Sequence, residues 1–403
     1  MSEGSLISRF ERDAALVVVG TSVANVASYG YHVLVSRNLG PTDYGATAAI
    51  LGIGVVASIP AAAMQYAVAR RVADGDDDGG RTATGGALRL GLTAGALVAV
   101  LIALTSPVLA TFLETHTAPL LWAGAWMVPL AASPSLLGRI QGQRRFAALA
   151  VCITVAGVAR MAGAAIVVLG DFGVSGAVAA MAGATLITTL LAFALCGVDA
   201  RPSAMPPGLL REIAHTTLPL AAFSTIAAMD VVLARHYLSP RQSGFYAAAS
   251  VAGKIVLWAP AAVAMTAFPE FASPTGDPRV LGRAIRLAGA ICAVAVLATV
   301  LGKRLLIGGI FGNTFLPAAD VVLLVALAMS ALAILQVVTM WAVAQRLYVV
   351  GPVLLAGAVA IAGLLATFNG SPRAVGVDLL VGIPALLAVV WVVTVRARPA
   401  GAA

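Results

Sequence analysis

Apolar residues in this chain fall into runs too long for the helices of a water-soluble core. A helix needs about 20 apolar residues to cross a bilayer, and runs of that length, bounded by charge, glycine and proline, predict twelve spans. They cover 14–35, 45–69, 86–110, 118–140, 147–169, 174–196, 214–235, 244–268, 284–307, 317–341, 348–367 and 374–395. The first is longer than the apolar core of a signal peptide and is expected to be retained. Polar segments between spans are short. The longest, 70–84 and 271–283, leave no room for a catalytic domain, so the chain is expected to act within the membrane and not as an enzyme.

Composition narrows the reading further. Of 403 residues, 60% are hydrophobic and 10% charged, where a soluble domain carries about 45–50% and 25%. The mean hydropathy is +0.98. So little charge cannot cover the surface of a soluble protein this large, which excludes cytosolic enzymes, nucleic-acid modules and secreted disulfide scaffolds. The net charge of +8 then reflects the positive-inside bias rather than a nucleic-acid partner. With the N-terminus inside, most of the 25 Lys and Arg residues fall on the cytoplasmic side. An even number of crossings brings the C-terminus back there, as expected of a multi-pass protein of the plasma membrane. Cys152, Cys196 and Cys292 lie in apolar runs and read as small buried hydrophobes. The four histidines have no metal-binding spacing, and Gly75-Asp76-Asp77-Asp78 lacks the second acidic motif of a magnesium-diphosphate site. No metal and no cofactor is expected.

The chain repeats itself at an offset of about 199 residues. Leu39-Gly40-Pro41 followed by Gly45 matches Leu238-Ser239-Pro240 followed by Gly244. Leu88-Arg89-Leu90 matches Ile285-Arg286-Leu287, and Gln143-Arg144-Arg145-Phe146 matches Gln345-Arg346-Leu347-Tyr348. The expected architecture is all-α: two six-helix bundles, 1–200 and 201–403, related by a pseudo-twofold axis along the membrane normal. Parallel repeats of this kind rock about a shared cavity.

The segment Arg37-Asn38-Leu39-Gly40-Pro41-Thr42-Asp43-Tyr44-Gly45 resembles the R-x-L-G-P-x-x-Y-G turn of polysaccharide flippases in the multidrug/oligosaccharidyl-lipid/polysaccharide exporter superfamily. Asp230, Ser243-Gly244-Phe245-Tyr246, Lys254 and Phe268-Pro269-Glu270 look like the same family's seventh and eighth helices. The resemblance implies a V-shaped pair of bundles that moves a lipid-linked oligosaccharide from the inner to the outer leaflet. The second turn has drifted to Ser239-Pro240-Arg241-Gln242, so no role is carried onto Arg241. Independently of family, Gly40-Pro41 is expected to stop the first helix, Asp43 to cap the second, and Gly45 to allow close packing. Tyr44 and Arg37 read as headgroup-level anchors or as substrate contacts at the outer mouth.

Two cations lie deep within spans. Arg160 and Lys254 sit roughly 15 Å from a span end at 1.5 Å per residue. An isolated charge there costs at least about 2.5–3.5 kcal/mol. Both are therefore expected to face a water-filled cavity, where an arginine can chelate a phosphate through two nitrogens and a lysine can meet it as a point charge. Asp230 lies within reach of Lys254 on a neighbouring helix, which leaves a gating or structural pair as the alternative. Asn25, Gln65 and Gln336 are candidates for the polar cavity or for hydrogen bonds between helices. Gly91 and Gly95 form a GxxxG, a weak signal in a chain with 41 glycines.

The leading expectation is a flippase that carries a lipid-linked anionic glycan by alternating access through a cationic central cavity. It would work as a monomer among membrane lipids, with H+ or Na+ as the coupling ion if one is used. A cation-coupled multidrug exporter of the same superfamily is the second reading; the absence of Asp and Glu from 14–35 speaks against it. A membrane glycan ligase or polymerase is disfavoured by the short outer loops.

Overall fold

The computed structural model describes residues 3–74, 77–196, 208–257, 260, 263, 264, 267, 271, 278–345, 347, 349–368 and 370–396. Among them the chain is helical throughout, without strands. Its α-helices are α1 (Glu3–Asp74), α2 (Asp77–Phe112), α3 (Thr117–Gly142), α4 (Phe146–Gly170), α5 (Gly173–Cys196), α6 (Leu209–Tyr237), α7 (Pro240–Gly253), α8 (Pro278–Ile310), α9 (Val322–Ala344), α10 (Val350–Thr367) and α11 (Pro372–Arg396). Short 3₁₀ turns follow α7 at Lys254–Leu257 and precede α9 at Asn313–Asp320. Ten of the helices are long and apolar enough to cross a membrane. This is a multi-pass membrane protein. The predicted span 244–268 corresponds to α7 and its 3₁₀ turn, and most of it beyond Leu257 lies outside the described residues, as do Phe268, Pro269 and Glu270.

The helix α1 holds two of the predicted spans and changes direction at a single residue. Gly40 has φ 71 and ψ 178, the one non-helical conformation within the element, in a region that only glycine occupies without strain. Pro41 restarts the helix at the position where its missing N–H costs nothing. The first span thus ends later, and the second begins earlier, than hydropathy alone suggests. Asp43 is not the cap that was expected. It falls within the first turn of the second arm, where its backbone carbonyl accepts a bond from Thr47 Oγ1 at 2.9 Å.

The repeat-related turn solves the same problem differently. Ser239, at the position of Gly40, is extended, with φ −57 and ψ 151. Its hydroxyl accepts from the Gln242 backbone N–H, and Pro240 again opens the helix. A serine cap thus does in α7 what a positive φ does in α1.

By contact the chain divides into two compact units. One comprises Met1–Leu39 and Ala57–Ala214, the other Gly40–Val56 and His215–Ala403. In the first unit α3 packs against α2 and α5, and α5 against α4. A Cβ at Gly91 would run into the Ala131 carbonyl of α3, and one at Gly95 would stand 2.8 Å from the Met127 carbonyl. The weak GxxxG is therefore the contact seam of α2 with α3. Leu88, Leu136, Ile140, Leu149, Cys152 and Cys196 fill the core beside it. In the second unit α9 packs against α7, α8 and α11, with Val256, Cys292, Ala326 and Ala333 forming a core cluster. All three cysteines are free and buried. Large apolar side chains also cover the outside of the helices; Leu169 is 88% exposed and Leu305 81%, a surface suited to lipid rather than water.

Candidate functional site

In the second unit α7 and the 3₁₀ turn that follows it present Tyr246, Ser250 and Lys254 at intervals of four residues, which puts them on one side of the element. All three converge on Asp230 of α6. Tyr246 Oη donates to Asp230 Oδ2 at 2.9 Å, Ser250 Oγ donates to the same oxygen at 2.7 Å, and Lys254 Nζ donates to Oδ1 at 2.8 Å. The carboxylate is fully buried, as are Tyr246 and Ser250, whereas the Lys254 side chain keeps 22% of its exposure. A buried carboxylate is tolerated when it is paired and hydrogen-bonded, and here both oxygens are satisfied. Lys254 is the member of the cluster through which solvent or a ligand can reach the pair.

The first unit treats its buried cation otherwise. Arg160 of α4 donates from Nη1 to Ser28 Oγ of α1 at 2.6 Å, and its Nε is buried without a hydrogen-bond partner. Among the described residues no carboxylate pairs with it. Beside it lies a pocket of about 260 Å³ whose polar lining is Thr21, Asn25, Ser28, Thr188 and Arg160. A cation with an unused donor next to a polar opening can receive an anion without first breaking an ion pair. Asn25 therefore shares a site with Arg160. Gln65 does not join it: Gln65 Nε2 donates to Gln141 Oε1 at 3.0 Å, tying α1 to α3. Gln336 of α9 is half-buried in the second unit, and Arg37 is exposed just before the break in α1.

The glycine–proline turn is built as a close backbone contact. A Cβ at Gly244 would collide with the Pro41 carbonyl, and one at Gly45 would fall 2.6 Å from Ser243 Oγ and 2.8 Å from the Gly244 nitrogen. Arg235 locks the contact. Its Nη1 donates to the carbonyls of Thr42 (3.0 Å) and Pro240 (3.2 Å) and to Ser243 Oγ (3.0 Å), with the residue 2% exposed. Leu39 is half-buried on the α1 side of the turn. Tyr44 corrects the anchoring expectation. It is fully buried, with Phe311 and Phe315 at ring distances of 5.8 and 5.7 Å, so it fills the core instead of lying among headgroups.

Sequence reasoning missed Ser250, Ser28 and Arg235. The signal for Ser250 was its place midway between Tyr246 and Lys254. Arg235 is the last residue of the predicted span 214–235, and only its nearness to a turn that needs carbonyl partners could have marked it.

The profile of a family described as polysaccharide biosynthesis protein matches residues 10–273. No curated protein matches the sequence. Among solved structures, an inward-facing multidrug-resistance MATE family transporter of the MOP superfamily superposes with a TM-score of 0.73 at 15% identity, covering 93% of this chain and 94% of that one. An outward-facing transporter of that family gives 0.64 at 16% identity, with 96% and 94% covered. A MOP superfamily transporter from Pyrococcus furiosus, whose binding pocket of reverse polarity suggests a different function, gives 0.57 at 14% identity over the same shares. These neighbours share the fold, and they are transporters rather than enzymes. With more than half of its length matched by the family profile, the chain belongs to the polysaccharide biosynthesis protein family and has the fold of MOP-superfamily membrane transporters.

Proposed function

We infer that this protein is a flippase that carries a lipid-linked anionic oligosaccharide from the cytoplasmic to the outer leaflet of the plasma membrane by alternating access. The observation that carries the reading is Arg160: a membrane-embedded guanidinium with a free donor beside a polar pocket and no acid among the described residues to neutralise it. Phosphate is the ligand chemistry that suits it, because a guanidinium can bind two phosphate oxygens at once. Family membership supports a glycan cargo.

In this reading Lys254 is the second cationic contact. It is held by Asp230 until a phosphate competes for it, so Asp230 acts as the gate on the lysine. Both termini face the cytoplasm, which the distribution of Lys and Arg favours. The protein acts as a monomer. The hairpin residues Leu39, Gly40, Pro41, Tyr44, Gly45, Gly244 and Tyr246 hold the frame in which these groups move. The Pyrococcus furiosus neighbour, whose binding pocket of reverse polarity suggests a different function, is a precedent for this fold serving more than one function. A cationic drug binding at Asp230 would have to displace three donors.

The test is translocation of a fluorescent lipid diphosphate oligosaccharide in proteoliposomes. Arg160→Leu should reduce the rate at least tenfold, with Arg160→Lys intermediate and membrane insertion unchanged. Transport by Arg160→Leu at the normal rate would return Arg160 to the scaffold and remove the main support for an anionic cargo.

A further inference from the structure

A second embedded acid lies outside the site described above. Asp378 sits on α11, about 9 Å along the helix from its first residue at 1.5 Å per residue, between the buried Val375 and Leu379. It is itself buried, at 6% exposure, and its Oδ2 has no hydrogen-bond partner.

Among the described residues no ion pair or hydrogen bond reaches Asp378. α9 and α10, both packed against α11, contain no titratable side chain between Val322 and Ala344 or between Val350 and Thr367. The smaller contact, with α7, brings Arg241, Tyr246 and the following Lys254. Arg241 stands over the Phe245 ring at 5.7 Å, and the other two are bound to Asp230. α8 meets α11 at the far end of that helix, where Ile285 and Trp391 line one groove. Of its charges, Arg279, Arg283 and Arg286 lie toward that end. Lys303 pairs with Asp320 at 3.8 Å, and the exposed Arg304 follows it. On α11 itself, Arg373 lies five residues from Asp378, about 140° around the helix, and is exposed; Arg396 is at the opposite end.

An ionised carboxylate placed among apolar helices without a partner is costly, and the group lowers that cost by taking up a proton. We propose that Asp378 is a proton-binding site of the second unit, occupied in this conformation, and that loading and emptying it couples protons to the transport cycle. The step is simple: the carboxylate gains one proton to become the neutral acid and returns it when the cycle exposes the side chain to water. This rests on the protein being a transporter and is independent of the cargo.

The test uses infrared difference spectra of the purified full-length protein in liposomes, without substrate, recorded between acidic and alkaline pH. A carboxylic-acid carbonyl band present at neutral pH should disappear in Asp378→Asn and move in Asp378→Glu. The glutamate variant serves if the asparagine variant fails to fold. Proton release on a pH jump, followed with a soluble indicator dye, should fall by one proton per molecule in Asp378→Asn. A band unaltered by both variants would overturn the proposal. So would its loss on adding Na+ at constant pH, since the site would then bind the metal ion. Failure of glycan transport with these results intact would count against the cargo alone.

Discussion

Replacing Lys254 by methionine tests the Asp230 cluster most directly. Methionine keeps the unbranched bulk of the side chain and removes the ammonium 2.8 Å from Asp230 Oδ1. The fully buried carboxylate then retains Tyr246 and Ser250 on Oδ2 and nothing charged on Oδ1. Breaking a buried pair from one side typically costs about 3–5 kcal/mol, because the remaining charge is left uncompensated. The residual exposure of the lysine, 22%, puts the expected loss toward the lower end, about 3 kcal/mol. Asp230→Asn keeps the shape and removes the charge, so Lys254→Met in that background should cost about 1 kcal/mol. The two substitutions are therefore coupled by about 2 kcal/mol, within the range seen for contacting residues. Denaturant unfolding of the four proteins in detergent measures the coupling, and proteoliposome flipping of the lipid diphosphate oligosaccharide reads function beside it. Additive losses would refute the account of a buried pair. Recovery of both stability and transport in the double variant would show that the charges serve the scaffold only.

Two further predictions concern the turn. Gly244→Ala places a methyl group against the Pro41 carbonyl, where neither backbone can yield easily, and should destabilise by about 1–3 kcal/mol; unfolding midpoints at an unchanged denaturant slope would check it. Arg235→Met removes the guanidinium donor to the Thr42 and Pro240 carbonyls, the second of which keeps the Ser243 hydroxyl, and should cost about 1–3 kcal/mol. Limited proteolysis should then cut near 40–45 faster than in the wild type, and equal cleavage would show that Arg235 does not hold the turn.

How much of this was legible beforehand follows from the physics of each feature. The helices were readable because lipid demands long apolar runs, and a run such as 147–169 has few other ways to exist. The meeting of Asp230 with Lys254 was readable as a possibility, since two opposite charges in apolar spans have few other partners. Ser28 was not, because a serine in a helix can bond to its own backbone, and nothing local distinguishes one that reaches across; Ser250 differed only in standing midway between Tyr246 and Lys254. Tyr44 misled because aromatic residues near span ends often lie at headgroup level, while here Phe311 and Phe315, far along the chain, enclose it. Asp378 escaped notice because one acid hardly lowers the hydropathy of a long apolar stretch, and its isolation appears only when neighbouring helices are in place.

The residues 40–56 pack with a unit whose other members begin at His215. As the chain emerges from the ribosome, Tyr44 has no pocket until Phe311 and Phe315 have been synthesised, and Gly45 has no opposing strand of backbone until Gly244 arrives. The N-terminal half therefore cannot mature fully on its own, and a fragment starting at 201 would lack the plug for its own aromatic socket. Maturation of the second unit must wait for a stitch sewn early in translation to be drawn tight late.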